Sequence, residues 1–515
     1  ALGGVVTFQS LFPEDILGDN ESTKFESINS YSSFNDGYST ALRYAGRDDD
    51  SGIEGVVVVT KTGANEVQTK GDVAYQDDLK SNGTNFYTNL VKNIDDNSRI
   101  NLIFEKVDKR NDTVIASDNL SSSYSAISQE RNVERSLVSL NYEYDNNEGE
   151  KFFDYVKIGG YIQNAYSVDN SDITRNAGYD PGASNPLYDP DVNNGRSEYG
   201  ILYFGSRNQV NNYDLKDDSI GANIQIRNDI DDEINHRLTF GVDYSTTENE
   251  RTRKKYDSQG TGNADPFNPG LATTVFKSPS NKIVKDSPDT QTTLVGVYLQ
   301  DEISFDNNKW EIIPGIRFDY YNLDSTVDDQ YLQSSKSSNP VDLNEDVINP
   351  SLALLYKANE NLTFYGKYNG GFRAPQYSEI NTTYGNLAYN YYIVSNPDLK
   401  SETSSNYEIG INGDYDKLKF SLNGFWSNFD NRIDGYEAVS DTSPLYDPGD
   451  DGLVQSSNCG RGDTEADGRA CDDLSVFQFV NKDKAEIYGL ELSSSYNFNS
   501  EPSGFTLFNS LAYTI

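Results

Sequence analysis

The sequence predicts an all-β chain folded as a large antiparallel transmembrane β-barrel, and three observations predict it. Stretches of roughly ten residues with alternating hydrophobicity recur from Lys24 to Thr514, the weak periodic signal that barrel strands leave. The connections between them alternate between tight acidic turns and long polar segments, as expected of a barrel inserted from one side. The longest aliphatic run, Val56 to Val59, is far short of the roughly 20 apolar residues a spanning helix needs.

The alternation is clearest from Arg237 to Ser245, where Leu238, Phe240, Val242 and Tyr244 take one face and polar residues or glycine the other. One face suits lipid and the other a wet lumen. Leu418, Phe420, Leu422 and Trp426 repeat the pattern, as do Ile100, Leu102 and Phe104. In chain order the predicted strands are 24–33, 38–47, 52–61, 84–94, 98–108, 133–145, 153–166, part of 198–228, 236–249, 291–305, 309–323, 347–358, 361–372, 404–413, 416–430, 485–498 and 504–514. That is about seventeen, whereas plugged outer-membrane transporters close at about 22. Tight connections fall at Asp95 to Asn97, Asp229 to Glu233, Asp306 to Asn308, Ala358 to Asn361 and Asp414 to Asp416. Long ones fall at 109–132, 168–198, 250–290, 324–346, 373–403 and 431–484. Every long connection follows an odd-numbered strand, so all six lie on one side, taken as extracellular.

Composition agrees with this reading. A hydrophobic fraction of 35% and a mean hydropathy of -0.69 would suit a soluble chain, but a barrel needs only half of each strand to be apolar. Aromatic residues make up 12% of the chain, enough for interfacial girdles. The formal net charge of -39 excludes a general affinity for nucleic acid or acidic membranes, which require basic patches. Acidic loops solvated by water account for the charge, and Asp447, Asp450 and Asp451 offer oxygen ligands for a calcium ion without the ligand order of an EF-hand. Cys459 and Cys471, the two cysteines, share one long polar loop; on an oxidising exterior they form a local disulfide, with a free pair as the alternative.

An enzyme would need a nucleophile, an acid/base pair or a metal cluster. The single histidine, His236, follows a tight turn on the periplasmic side and reads as a strand-start residue, so no catalytic set emerges. A passive porin or a secreted adhesin are the remaining non-enzymatic alternatives.

Several segments resemble TonB-dependent outer-membrane receptors of the haem, haemoglobin, transferrin and lactoferrin group. ALGGVVTFQS, Ala1 to Ser10, resembles the last strand of that family's plug domain. Pro288 to Ile303 with Ile312 to Tyr321 resembles a characteristic barrel hairpin. Phe372-Arg373-Ala374-Pro375 and Asn396-Pro397-Asp398-Leu399 resemble the paired FRAP and NPDL boxes of haem receptors, and Gln478 to Leu492 is similar to a late-barrel pattern of the superfamily. The resemblance implies residues 1–20 as the end of the plug and its connection, and 21–515 as a barrel lacking its last strands. It also implies a monomeric barrel in the Gram-negative outer membrane, set in lipopolysaccharide and driven by the TonB–ExbB–ExbD complex through a segment not contained here. Its cargo would be an iron source: haem, taken free or from a haem protein, or else a siderophore or other iron chelate.

Pro375 and Pro397 give both boxes a structural role, because each removes a ladder donor and ends a strand. The functional expectation is that the boxes frame a loop over the ligand path, with Arg373 gripping a carboxylate or propionate. Family haem receptors commonly carry a histidine between the boxes. This sequence has none there and offers Tyr377, Tyr384, Tyr389, Tyr391 and Tyr392, which could ligate ferric haem as tyrosinate or stack a flat ligand.

Overall fold

The computed structural model describes residues 10–67, 77–115, 124–146, 153–175, 178–180, 202–204, 207–258, 280–334, 340–386, 391–438, 475–498 and 504–515. In chain order the strands are β1 (Thr23–Ser32), β2 (Gly37–Asp48), β3 (Ile53–Asn65), β4 (Asp78–Asp95), β5 (Ser98–Val114), β6 (Tyr124–Asp145) and β7 (Tyr155–Arg175). They continue with β8 (Gly178–Asp180), β9 (Leu202–Phe204), β10 (Arg207–Ile230), β11 (Asn235–Asp257), β12 (Ser280–Val284), β13 (Asp289–Phe305), β14 (Trp310–Thr326), β15 (Leu343–Asn359) and β16 (Leu362–Arg373). The last are β17 (Tyr384–Asn386), β18 (Tyr391–Ile393), β19 (Glu402–Asp414), β20 (Leu418–Ala438), β21 (Ser475–Asn497) and β22 (Thr506–Thr514). Two short helices, α1 (Asp329–Ser334) and α2 (Tyr377–Ile380), lie in long connections.

Twenty strands form one sheet, and β8 and β9 form a separate hairpin. Setting aside the short β12, β17 and β18, the wall consists of seventeen long strands, each antiparallel to the next long strand along the chain. This is the meander that alternating tight turns and long connections predict. Among the described residues β1 and β22 do not pair with each other.

The tight turns form where expected. Asp306, Asn307 and Asn308 all adopt left-handed backbone, with φ of 54°, 55° and 61°, which Asp and Asn tolerate better than other side chains. The long connections differ from expectation in one respect: much of their length is strand. β6, β7, β10, β11, β20 and β21 run for 21 to 24 residues, about twice the 9–11 needed to cross a bilayer. Hydrophobicity marks only the part of a strand that meets lipid. Ladder hydrogen bonds continue into water wherever a neighbour is present, so polar residues such as Thr246 to Tyr256 stay in register with β10.

Outward faces carry the apolar band. On β14 and β15 the exposed Ile316, Phe318, Ile348, Leu352 and Leu354 face away from the lumen. Trp310 and Tyr356, with ring centroids 4.3 Å apart, mark one rim. Tyr320, ten positions beyond Trp310 on the same face, marks the other. At about 3.3 Å per residue and a strand tilt of about 40°, the rims lie roughly 25 Å apart, the height of a barrel's apolar band. Tyr368, Tyr407 and Trp426 adjoin across β16, β19 and β20, with ring centroids 5.2 Å apart in the first, tilted pair and 5.7 Å apart in the second, stacked one.

The buried core lies inside the wall in two patches. Near the start of the chain, Ile16 and Leu17 pack on Ala45 and Val56, while the Tyr87 hydroxyl donates to the Leu11 carbonyl at 2.8 Å. Of the segment ALGGVVTFQS, only Ser10 is among the described residues. The second patch is the floor of the candidate site.

Candidate functional site

The paired boxes sit where β16 leaves and β19 re-enters the wall. Pro375 stands two residues past the end of β16, and the chain turns into α2, where the amide of the N-cap Gln376 donates to Glu379 Oε2 at 2.8 Å. The segment then folds inward. Ile380 and Leu399, at 0% and 2% exposure, pack on Tyr321 and Leu323 of β14 and Ile433 of β20. Two apolar lumen residues at the outer end of β14 are therefore covered by the loop rather than by water, and the Tyr321 hydroxyl adds a bond to the Pro375 carbonyl at 3.0 Å.

Arg373 finds its carboxylates within the chain. Its Nε and Nη2 donate to Glu402 at 2.7 and 2.9 Å, and its Nη1 donates to both Glu379 oxygens at 3.0 and 2.9 Å. Glu402 also accepts from the Ile433 amide at 2.6 Å and is 8% exposed. The fork that the sequence offered to a ligand carboxylate or propionate is taken up here by Glu402 and Glu379 of the chain itself, which ties the FRAP box to β19 and α2.

The NPDL box is held by the late-barrel stretch. Asn396 Nδ2 donates to the Phe479 carbonyl at 2.7 Å, and Asn481 brackets Lys400, accepting from its amide and donating to its carbonyl at 2.8 Å each. Asp398 closes an Asx turn on Asn396 Oδ1 at 3.0 Å. The boxes that resemble family motifs are thus parts of one clasp: β16, α2, the NPDL turn and β21 fasten one another.

Beneath the clasp lies a cavity of about 820 Å³, lined among others by Tyr161, Leu294, Arg317, Tyr321, Phe372 and Tyr377. Arg317 is held by Asp243 at 2.9 Å and Asp319 at 2.7 Å. Of the candidate tyrosines, Tyr377 lines the cavity and burial pushes its hydroxyl pKa up, partly offset by the Arg251 charge. Tyr384 pairs with Ile393 across the β17–β18 hairpin, and its ring lies 5.4 Å from the Arg253 guanidinium. Tyr391 and Tyr392 belong to β18, which runs parallel to the start of β21. Tyr389, Cys459, Cys471, Asp447, Asp450 and Asp451 lie outside the described residues. Among the described residues no three His, Cys, Asp or Glu side chains converge as a metal site. His236 is the second residue of β11 and bonds Asp301 at 2.8 Å, at the end of the wall away from the clasp.

Two features escaped sequence reading. Arg251 and Arg253 point from β11 toward the clasp, and the visible signal was four basic residues in five from Arg251 to Lys255 in an acidic chain. Lys285, 6% exposed, donates to Asp289 at 2.7 Å and Asp328 at 2.5 Å, while Asp328 also accepts from the Tyr331 amide and so starts α1. Burial works against the Lys285 charge, but the two carboxylates outweigh it and raise its pKa. For Asp328, burial raises the pKa, but bonds from Lys285 and Tyr331 leave it lowered overall. The depressed Asp328 supplies stability above about pH 4 that is lost as pH falls through its folded pKa; the raised Lys285 supplies stability below about pH 10 that is lost above it. Protection of the Tyr331 amide from hydrogen exchange, corrected for intrinsic rate, should therefore be constant between those limits and fall on acidification below pH 4. Constant protection down to pH 2 would contradict a role for the Asp328 carboxylate in starting α1.

A tall barrel with an aromatic-rimmed apolar band and an inward-folded clasp over a lumenal chamber defines an outer-membrane receptor barrel. Residues 66–515 match the family described as TonB dependent receptor-like, beta-barrel. The chain belongs to that family, whose members are Gram-negative outer-membrane transporters and not enzymes. It is 25% identical over 288 residues to a heme/hemopexin utilization protein C of Haemophilus influenzae, covering 53% of this chain and 32% of that protein. It is 24% identical over 201 residues to a hemoglobin-haptoglobin utilization protein B of Neisseria meningitidis, covering 38% and 23%. A ferric enterobactin receptor of Pseudomonas aeruginosa is 25% identical over 273 residues, covering 50% and 30%. The matched part thus spans about a third or less of each relative. Among solved structures, the hemophore receptor HasR of Serratia marcescens superposes with a TM-score of 0.62 at 13% identity, over 98% of this chain and 65% of that one. The copper transporter OprC superposes at 0.58 and 14% identity, over 96% and 61%. At such identity these two show the fold alone.

Proposed function

We propose that the protein takes up an iron source through the outer membrane, coupled to TonB–ExbB–ExbD, and that haem, free or delivered by a haem protein, is its first cargo. The observation that carries this reading is the tyrosine-bearing clasp roofing a chamber of about 820 Å³, within the usual size of small-ligand pockets. Relatives named for heme and hemoglobin utilization support haem over other cargo. In this reading residues 1–20 connect the barrel to a plug, Tyr377 and Tyr384 are the clasp groups that meet a flat ligand, and Arg373 serves by holding the segment in place.

Adding hemin to the full-length protein in detergent is expected to shift and sharpen the Soret band at micromolar concentration, with Tyr377→Phe weakening the change. An unaltered free-hemin spectrum would exclude haem. A siderophore is the second reading, favoured by the relative named as a ferric enterobactin receptor.

A further inference from the structure

We infer that Arg251, assisted by Arg253, is the anion-recognition element at the mouth of the chamber, and that it selects a flat aromatic ligand bearing carboxylates or comparable anionic groups. The inference rests on reading the chamber as the ligand site. On β11 the side chains of Asp243, Ser245, Thr247 and Asn249 line the chamber, and the same alternation continues to Arg251 and Arg253. Arg251 stands about 7 Å along the strand beyond Asn249, at the chamber's outer rim. The opposite face carries Phe240, Val242 and Tyr244 and then Thr246, Glu248 and Glu250, so the strand has left the apolar band before it reaches the arginines. Both guanidiniums therefore sit beyond the chamber's lining, toward the outer end of the strand.

Their pairing differs from that of Arg317 and Arg373, the two cations that line the chamber. Arg317 and Arg373 are each committed to two carboxylates. Arg251 is exposed and, among the described residues, has no carboxylate at ion-pairing distance; its charge reaches Asp286 and Tyr377 only at longer range. Arg253 is pinned between the rings of Tyr213 and Tyr384, at 5.8 and 5.4 Å, with Asp286 at 3.5 Å on one side. Its Nε is buried with no partner, an orphaned donor in a chain of net charge -39. An uncommitted guanidinium beside a stacked, oriented one, with Tyr377 close by, matches the edge of a planar aromatic ring that carries anionic groups.

The test uses full-length protein in detergent and two porphyrins that differ at the propionates, hemin and its uncharged-side-chain dimethyl ester. Arg251→Gln is expected to weaken hemin binding about ten- to hundredfold while leaving the ester nearly unchanged, and Arg251→Lys to restore part of the loss. Arg251→Gln weakening both porphyrins equally, or neither, overturns the inference while leaving haem as cargo. If neither porphyrin binds wild-type protein, the haem reading falls, and the same variant is read with ferric tricatecholate, an anion, against neutral ferric trihydroxamate. Selective loss of the tricatecholate then supports Arg251 as the anion selector. Indifference to ligand charge, or failure of wild-type protein to bind either chelate, overturns it.

Discussion

Arg373→Ala is expected to free the segment from Ala374 to Ser401 from the barrel wall without unfolding the barrel. The arginine stands between two carboxylates, Glu402 at 8% exposure and Glu379 at 17%, and its removal leaves both facing each other in a largely desolvated corner. Breaking a buried pair by deleting one partner typically costs about 3–5 kcal/mol. Arg373 itself is 31% exposed, so water can partly re-solvate the pocket and a discounted figure, about 2–3 kcal/mol, applies. The loss is local, because the wall is held by ladders that do not pass through Arg373. Amide exchange at Ile380, Asn381 and Leu399 should accelerate by roughly 30- to 150-fold, corresponding to that energy, while the amides of β13 and β14 keep their protection. Arg373→Lys keeps the charge but not the fork, so it should fall between wild type and Ala. Exchange unaltered in Arg373→Ala would remove the clasp from the account.

How far the site could be read in advance depended on whether its cause was local. Alternation from Leu238 to Tyr244 depends only on lipid lying on one side, so that strand, its neighbours and the tight turns between them are legible in the chain. The same holds for Pro375 as a strand terminator, whereas Pro397 lies in a turn between β18 and β19 and ends no strand. The upper halves of the long strands are not legible, because from Thr246 to Tyr256 both faces are wet and pairing with β10 alone decides the conformation. Arg373 illustrates the second limit. Its type suggests an acidic partner, but only the β16–β19 register, which sets Arg373 opposite Glu402, reveals that the partner is internal. Arg251 is the converse: an unremarkable member of a basic run until the alternation of β11 is extended past the membrane and places it inside.

Ile380→Ala tests the apolar half of the clasp. Ile380 is fully buried, and the residues it joins, Tyr321, Leu323, Leu399 and Ile433, come from three separate stretches of the chain. Truncating a buried isoleucine to alanine costs about 2–5 kcal/mol, part from lost transfer and part from the cavity left behind. A comparable truncation on the outer wall, Ile348→Ala at a side chain 60% exposed toward lipid, removes no such contact set and should leave exchange in the segment unchanged. The pair of variants therefore separates burial inside the lumen from general hydrophobicity. If the inward-folded segment is held by this cluster, Ile380→Ala should accelerate exchange at Asn381 and Leu399 at least 30-fold, and combining it with Arg373→Ala should give less than the sum, since a segment already released has no docking energy left to lose. Full additivity of the two would mean that Arg373 and Ile380 stabilise different elements, and equal effects of Ile380→Ala and Ile348→Ala would mean that the segment does not dock on the lumenal face of β14.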